Sequence, residues 1–242
     1  MAGLGGVIPL RLRPNEEILA GAPPRPATRL STSGTEIVHL IVAFTVLTID
    51  IALVRTQISV NGVPGGLTVS GFVASLSIAA VAALTGFVAH EMAHKIVAQR
   101  HGFWAEFRMS PAGLFFSVAT ALFGFLFALP GATVIGGMGD TREWGRTSVA
   151  GPLVNLAFGG AFLGASFAIA RAYPSGFLWT ALTFLALVNA IFAGFNLLPF
   201  GPLDGRKVLR WSRAIWVASF GSAILFAGAV FSVLLFVAPP VP

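Results

Sequence analysis

Long apolar runs, separated by short polar or turn-rich segments, dominate this chain of 242 residues. Several runs approach or exceed the roughly 20 residues that a helix needs to cross a lipid bilayer. They predict helical spans at about 36–54, 67–100, 148–170, 177–198 and 215–237. The pattern therefore predicts an all-α polytopic membrane protein.

Residues 103–137 depart from this pattern. The stretch Phe103–Met109 alternates like a strand, Ala112–Leu129 is continuously apolar, and Ala132–Ile135 again reads as a strand after the break at Pro130-Gly131. The apolar run is either a sixth span or a re-entrant segment between two strands. The chain thus has about five to six predicted transmembrane helices.

The distribution of the 15 Lys and Arg residues favours the re-entrant alternative. If Ala112–Leu129 spans the membrane and the N-terminus is inside, 8 of the 15 lie inside and 7 outside, which is no bias. If the run returns to the inner side, 13 of the 15 lie inside, and Arg55 and Arg171 lie outside. The positive-inside rule strongly prefers the second topology. Irregular backbone at membrane depth is tolerated where it lines a cavity in the protein.

Composition supports a membrane protein and excludes several other classes. Hydrophobic residues make up 56% of the chain and charged residues 10%, whereas soluble domains carry about 25% charged residues. The basic residues are spread among short loops, so we expect no nucleic-acid partner. The absence of Cys excludes disulfides and thiolate ligands, so any metal must bind to His, carboxylate or water.

The first 34 residues differ from the rest of the chain. They carry several Arg among Pro and Gly and no apolar stretch typical of a signal peptide. We expect residues 1–34 to form a flexible cytosolic tail and residues 35–238 the transmembrane domain, with a core at 67–211. The segment Ser33–Glu36 has the pattern of a capping box at the start of the first span. Asp50, near the end of that span, is expected to lie at the membrane interface.

A charged pentad, His90-Glu91-Met92-Ala93-His94, lies inside the second predicted span. Ionisable groups in hydrocarbon are costly unless paired or ligating, so such a cluster indicates a functional site. Residues four apart share a helix face, so both imidazoles can reach one metal ion. Glu91 is then placed beside the metal as a base for an activated water. This is the HExxH arrangement of zinc metalloproteases.

A catalytic zinc usually has three protein ligands, so a third ligand is needed. The residues after His94 lack the Gly and His of the metzincin extension. His101 lies about 10 Å further along the helix than His94, out of reach of the same ion. Glu106 is a weak alternative. Asp204 is the strongest candidate, because it follows a Pro- and Gly-rich break at the end of the fourth span.

Topology bears on this choice. In the re-entrant topology Asp204 lies near the same membrane face as the two histidines, whereas in the full-span topology it lies on the opposite face. An alternative role for Asp204 is to cap a loop or to pair with Arg206 or Arg210.

Three separated motifs resemble those of the site-2 protease family of intramembrane zinc metalloproteases, peptidase family M50. They are HEMAHK from His90, Gly151-Pro152-Leu153-Val154-Asn155, and FNLLPFGPLDG ending at Gly205. The resemblance covers most of the chain from the second span to Trp211. It implies a three-helix catalytic core with a membrane-embedded β-hairpin after the HExxH helix, here at 103–137. The chain lacks the PDZ domain of many bacterial members and resembles a minimal form.

The resemblance also implies roles for individual residues. One Zn²⁺ per chain would be bound by His90, His94 and Asp204, with Glu91 as the base. Asn155 and Asn196 would hold the substrate or stabilise the oxyanion. The implied substrate is a single-pass membrane protein, cleaved in the lipid bilayer of the cell membrane. From the charge distribution we expect the N-terminus and the active site on the cytoplasmic side. Departures from the family pattern are Gly201 before Pro-Leu-Asp-Gly and Arg206-Lys207 after Gly205.

Two other functions use similar residues. A divalent-metal transporter also places His and Asp in spans, but this chain offers one ligand cluster and no series of sites across the bilayer. A pseudoprotease would bind helices without cutting, but here the ligand set is accompanied by a base at the right offset. The sequence favours the protease over both.

Overall fold

The structure is a computed structural model that describes residues 30–57, 68–137, 139–170 and 176–234. Five helices in this part of the chain are long and apolar enough to cross a membrane. They are Gly34–Gln57, Val69–Arg100, Thr141–Ala170, Phe177–Asn196 and Arg213–Ser232. The all-α polytopic membrane fold is therefore confirmed.

The elements follow one another in a simple order along the chain. They are α1 (Gly34–Gln57), α2 (Val69–Ala83), α3 (Ala89–Arg100), β1 (Trp104–Met109), α4 (Pro111–Leu122), β2 (Gly131–Gly136), α5 (Thr141–Ala170), α6 (Phe177–Asn196), α7 (Asp204–Trp211) and α8 (Arg213–Ser232). The chain passes from α2 to α3 without leaving the helix, through a π-helical turn at Leu84–Val88. Such wider turns are rare and are often found at functional sites.

The two short strands form an antiparallel sheet that closes the segment between them. Met109 pairs with Gly131, and the Ser110 N–H donates to the Pro130 carbonyl at 2.8 Å. Between these points, α4 has 12 residues, a length of about 18 Å that is too short to cross a bilayer. The apolar run thus leaves the sheet and returns to it, which is the geometry that the charge distribution favours.

The largest apolar core lies between α1, α2 and α6. Leu47 of α1, Ala82 of α2 and Leu185 of α6 are buried in it. Gly159 of α5 lies so close to α8 that an added Cβ would be 2.6 Å from the Phe226 ring. The packing brings the end of α6 and the α3 segment that carries the pentad to the same end of the bundle.

The predicted capping box at the start of α1 is half correct. Ser33 Oγ accepts a hydrogen bond from the Glu36 N–H at 3.1 Å, as expected for a helix cap. The Glu36 carboxylate, however, turns into the protein, where it pairs with Lys95 and accepts the Phe107 N–H at 3.0 Å. A buried ammonium offers this carboxylate a stronger partner than a backbone N–H at the helix end.

The expected interfacial position of Asp50 is wrong. Its side chain is buried against α4 and accepts a hydrogen bond from Ser117 Oγ at 2.7 Å. The cause is the re-entrant segment, which packs against α1 at this depth. Pattern analysis of α1 alone cannot detect that contact.

The end of the predicted tail is held against α3. The Ser31 N–H donates to Gln99 Oε1 at 3.0 Å, and Gln99 Nε2 donates back to the Ser31 carbonyl at 2.9 Å. Lys95 also donates to Thr32 Oγ1 at 2.8 Å. Residues 1–29 of the predicted tail lie outside the described residues.

Candidate metal centre

Three side chains that could hold a metal ion converge at one end of the bundle. His90 and His94 lie on one face of α3, with their Nε2 atoms 3.0 Å apart. Asp204 Oδ2 lies 2.9 Å from His94 Nε2 and 3.4 Å from His90 Nε2. The exposed fraction is 3% for His90, 6% for His94 and 8% for Asp204. A buried cluster of two imidazoles and a carboxylate is a typical zinc donor set.

The spacing of these donors fits a zinc ion. Tetrahedral ligands about 2.0–2.1 Å from zinc lie about 3.3 Å from one another. The observed separations of 2.9, 3.0 and 3.4 Å between the donor atoms are close to that value. The three donors would occupy three corners of the tetrahedron and leave the fourth open.

Asp204 reaches this cluster because the chain breaks after α6 and restarts at α7. Gly205 lies directly against the preceding turn, where an added Cβ would come within 2.0 Å of the Leu197 carbonyl oxygen. Burial alone raises the pKa of the Asp204 carboxyl, but the adjoining imidazoles of His94 and His90 outweigh it and hold this pKa well below its usual range.

Lys207 approaches Asp204 on its other oxygen, with Nζ 3.5 Å from Oδ1. Among the described residues, the ion pairs of Asp204 are with this lysine and the two histidines, and they do not include Arg206 or Arg210. The alternative in which Asp204 serves to pair with one of these arginines has no support in the contacts.

His90 is oriented by a hydrogen-bond network that reaches the π-helical turn. Its Nδ1 lies 2.5 Å from Asn155 Oδ1, and Asn155 Nδ2 donates to the Gly86 carbonyl at 2.9 Å. Asn189 of α6 supports the same turn by donating to Thr85 Oγ1 at 3.0 Å. With Nδ1 donating to Asn155, the imidazole presents the lone pair of Nε2 towards Asp204.

His94 has an equivalent partner in the backbone of α5. Its Nδ1 lies 2.7 Å from the Thr147 carbonyl oxygen. One turn further along α5, Gly151 faces the two ligand atoms. A Cβ at this position would be 2.5 Å from His94 Nε2 and 2.7 Å from His90 Nε2. The two imidazoles can therefore approach α5 this closely because residue 151 has no side chain.

Glu91 follows His90 in α3, and its side chain is held by β2. Its Oε2 accepts two hydrogen bonds from Thr133, one from the backbone N–H and one from Oγ1, both at 2.8 Å. The Thr133 hydroxyl also lies 3.1 Å from the Glu91 carbonyl oxygen. The carboxylate predicted to act as a base is thus fixed between the HExxH helix and the sheet.

The other predicted site residues have different settings. Asn155, expected to contact substrate, is fully buried, and its amide is hydrogen-bonded to His90 and the π-helical turn. Asn196 is partly exposed at the end of α6, where its Nδ2 donates to the Phe192 carbonyl at 3.0 Å. Glu106, the weaker candidate ligand, instead binds Arg108 and Ser33.

Sequence analysis assigned no role to four residues of this site. Gly151 belongs to one of the three motifs, and a Gly at this position is the one sequence signal of a close approach to the histidines. Thr133, Thr147 and Asn189 carry no sequence signal, because their contacts with Glu91, His94 and Thr85 depend on how separate elements pack.

The chain is similar in sequence to proteins that are named as zinc metalloproteases. No family model matches the chain, and no solved structure matches it. A protein of Mycobacterium tuberculosis named "Putative zinc metalloprotease Rip3" is 32% identical over 160 residues, which are 64% of this chain and 37% of the relative. The chain therefore spans little more than a third of that longer protein.

A second relative is matched over more of its length. It is a protein of Methanocaldococcus jannaschii named "Putative zinc metalloprotease MJ0611", and the match covers 57% of this chain. Since it is 38% identical over 143 residues and covered over 72% of its length, the chain belongs to the same family of zinc metalloproteases.

Proposed function

We propose that this protein is an intramembrane zinc metalloprotease of the site-2 protease type, in peptidase family M50, that cleaves a membrane-protein substrate within or near a transmembrane segment. One observation carries the proposal. His90, His94 and Asp204 converge within a bundle of membrane-length helices, and Glu91 follows His90 on the same helix. A soluble metalloprotease would have no need to place this donor set among such helices.

In this proposal His90, His94 and Asp204 hold one zinc ion per chain. When bound, zinc would act as a Lewis acid towards a water molecule and the scissile carbonyl. Glu91 Oε2 or Oε1 takes a proton from the attacking water and returns it to the nitrogen of the leaving amine. Asn155 keeps the His90 imidazole in the ligating tautomer, and it therefore acts as a positioning residue.

The substrate we propose is a single-pass membrane protein that is locally unwound near the cut. Peptide bonds inside a helix are shielded, so the cleaved segment must be extended. The half-exposed strand β2 can receive such a segment by β-addition. Asn196, partly exposed at the end of α6, is available to contact it.

We also propose that the metal centre lies towards the cytoplasmic side of the cell membrane. The positive-inside rule places 13 of the 15 Lys and Arg residues on the inner side when α4 is re-entrant. The same topology places the N-terminus inside.

Reconstitution into vesicles separates this function from metal transport. Purified protein would be placed in vesicles with a labelled single-pass substrate, and substrate cleavage and Zn²⁺ flux would be measured in the same preparation. We expect cleavage that a chelator stops, without flux above that of empty vesicles. Flux without cleavage would favour a transporter instead.

Gly151 provides a specific test of the metal position. Gly151→Ala should lower zinc affinity by more than about 10-fold, because the new methyl group takes the space between the ligand atoms. Bound zinc would be measured by elemental analysis after dialysis against a zinc buffer. The matched control is Gly160→Ala in the same helix, where an added Cβ meets nothing within 4 Å. Normal zinc binding by Gly151→Ala would mean that the ion lies elsewhere.

The proposed role of Asn155 predicts a change in zinc affinity that a substrate-binding role does not. Asn155→Ala should weaken zinc binding by about 10–100-fold, the usual range for partners of ligating histidines. Competition with a fluorescent chelator would measure it. Ser166→Ala removes another buried polar group from α5 and should leave zinc affinity unchanged. If Asn155→Ala keeps its zinc affinity but loses substrate binding, the role implied by the family resemblance is the better one.

A further inference from the structure

The two outer edges of the sheet are both capped by carboxylates, at the same register position. Phe107 of β1 is paired with Thr133 of β2. The N–H groups of both residues point away from the sheet, one to Glu36 Oε1 at 3.0 Å and the other to Glu91 Oε2 at 2.8 Å. Outward N–H groups at facing residues are typical of a non-hydrogen-bonded antiparallel pair.

The β1 edge is closed by buried side chains. Glu36 is fully buried and is ion-paired with Lys95, which is itself 3% exposed. The Ala105 carbonyl on the same edge accepts a hydrogen bond from Gln99 Nε2 at 3.0 Å. Removing one member of a buried ion pair is strongly unfavourable, so this edge has no route to accept another strand.

The β2 edge has a different character. Every residue of this strand is partly or fully exposed. Within the described residues, the outward backbone N–H and carbonyl groups of Gly131 and Ile135 have no hydrogen-bond partner. The edge is interrupted at Thr133, where Glu91 takes the outward N–H. An incoming extended chain must take this N–H in order to pair along the whole strand.

We propose that Thr133 couples substrate docking to the release of the catalytic base, an inference that rests on the proposed protease function. A substrate carbonyl replaces the Glu91 carboxylate as the acceptor for the Thr133 N–H. The carboxylate keeps its hydrogen bond to the Thr133 hydroxyl, which continues to fix its position between α3 and β2. Glu91 Oε2 thus accepts one hydrogen bond instead of two when a substrate strand is in place. Thr133 is a positioning residue in this scheme.

The scheme gives the two donors of Thr133 separate roles. The N–H governs how tightly substrate binds, because Glu91 and substrate compete for it. The hydroxyl governs turnover, because it orients the base after docking. A merely structural threonine would affect neither quantity in this selective way.

The first arm of the test removes the hydroxyl. Thr133→Val is expected to lower kcat by about 10-fold, the scale of one hydrogen bond to a charged group, with KM and zinc content within about twofold of wild type. Thr133→Ser should restore most of the lost turnover. Thr45→Val, which removes a hydroxyl bonded only within α1, is the matched control. A Thr133→Val enzyme with wild-type kcat would overturn the coupling.

The second arm measures binding without turnover. Wild-type and Glu91→Ala proteins, both stripped of metal with chelator, would be titrated with a fluorescent single-pass substrate in detergent micelles. Removing the competing carboxylate is expected to tighten substrate binding by about 3–10-fold. Equal or weaker binding by Glu91→Ala would contradict the exchange of the N–H.

The assay separates this inference from the function on which it rests. Cleavage by the wild-type protein reports on the protease function alone. An active wild type with unchanged Thr133→Val turnover would overturn the coupling and leave the protease intact. An inactive wild type that binds substrate more weakly than Glu91→Ala would support the competition for the Thr133 N–H and contradict the proposed protease function.

Discussion

Glu91→Gln is expected to retain one zinc per chain and to lose proteolytic activity by about 10²–10⁴-fold, the range associated with a general base. The amide keeps the shape of the carboxylate and can still accept hydrogen bonds from Thr133. It cannot accept the proton of the attacking water. Turnover of a labelled membrane substrate and zinc content would be measured on the same preparation.

A suitable control for this substitution removes a carboxylate away from the site. Asp140 lies in the segment before α5, where its Oδ1 accepts a hydrogen bond from the Glu143 N–H at 2.7 Å. Asp140→Asn should keep both zinc and activity. If Glu91→Gln loses its zinc, Glu91 acts in metal binding and its assignment as a general base is wrong.

Asp204→Ala is expected to lower zinc affinity by more than about 100-fold, and activity with it, because it deletes a ligand and not merely a partner of one. Its Oδ2 is within 3.4 Å of both histidine Nε2 atoms, and the imidazoles by themselves would leave the ion two protein ligands. Zinc affinity would be measured by competition with a chelator of known strength.

Glu106→Ala is the matched control, since Glu106 was the alternative ligand in the sequence. Its carboxylate is bound to Arg108 and Ser33, so zinc affinity should not change. The opposite pattern, with zinc lost from the Glu106 variant and kept by the Asp204 variant, would exchange their roles.

The donor set can be predicted from the sequence because the signals that mark its members are local. His90 and His94 are one helical turn apart, and the Pro- and Gly-rich break before Asp204 is visible in the residues themselves. The return of α4 to the sheet could also be anticipated, because the distribution of Lys and Arg depends on topology alone.

The parts that could not be predicted depend on contacts between distant elements. The carboxylate of Glu36 leaves the expected capping box because Lys95 lies buried beside it, and Asp50 is buried because α4 folds back against α1. Likewise, Thr133 meets Glu91 only when β2 is aligned along α3. The period of a helix or strand specifies which face a residue occupies, but not which residue of another element it meets.

The π-helical turn before His90 is a further example. It shifts the register of the helix at Leu84–Val88, where the Gly86 carbonyl accepts from Asn155. This contact links the Gly151–Asn155 motif to the helix that carries the HExxH motif. Both α5 and α6 contact this turn, so its setting depends on the packing of elements that are distant in the sequence.

The position of the cut is the most direct test of the central claim. Purified protein would be incubated with zinc and a labelled single-pass helix that contains a helix-weakening Asn-Pro, and the products would be identified by mass spectrometry. We expect cuts within the transmembrane segment that disappear with chelator and in Glu91→Gln. Cuts confined to the soluble flanks, or cuts that persist in Glu91→Gln, would contradict an intramembrane zinc protease.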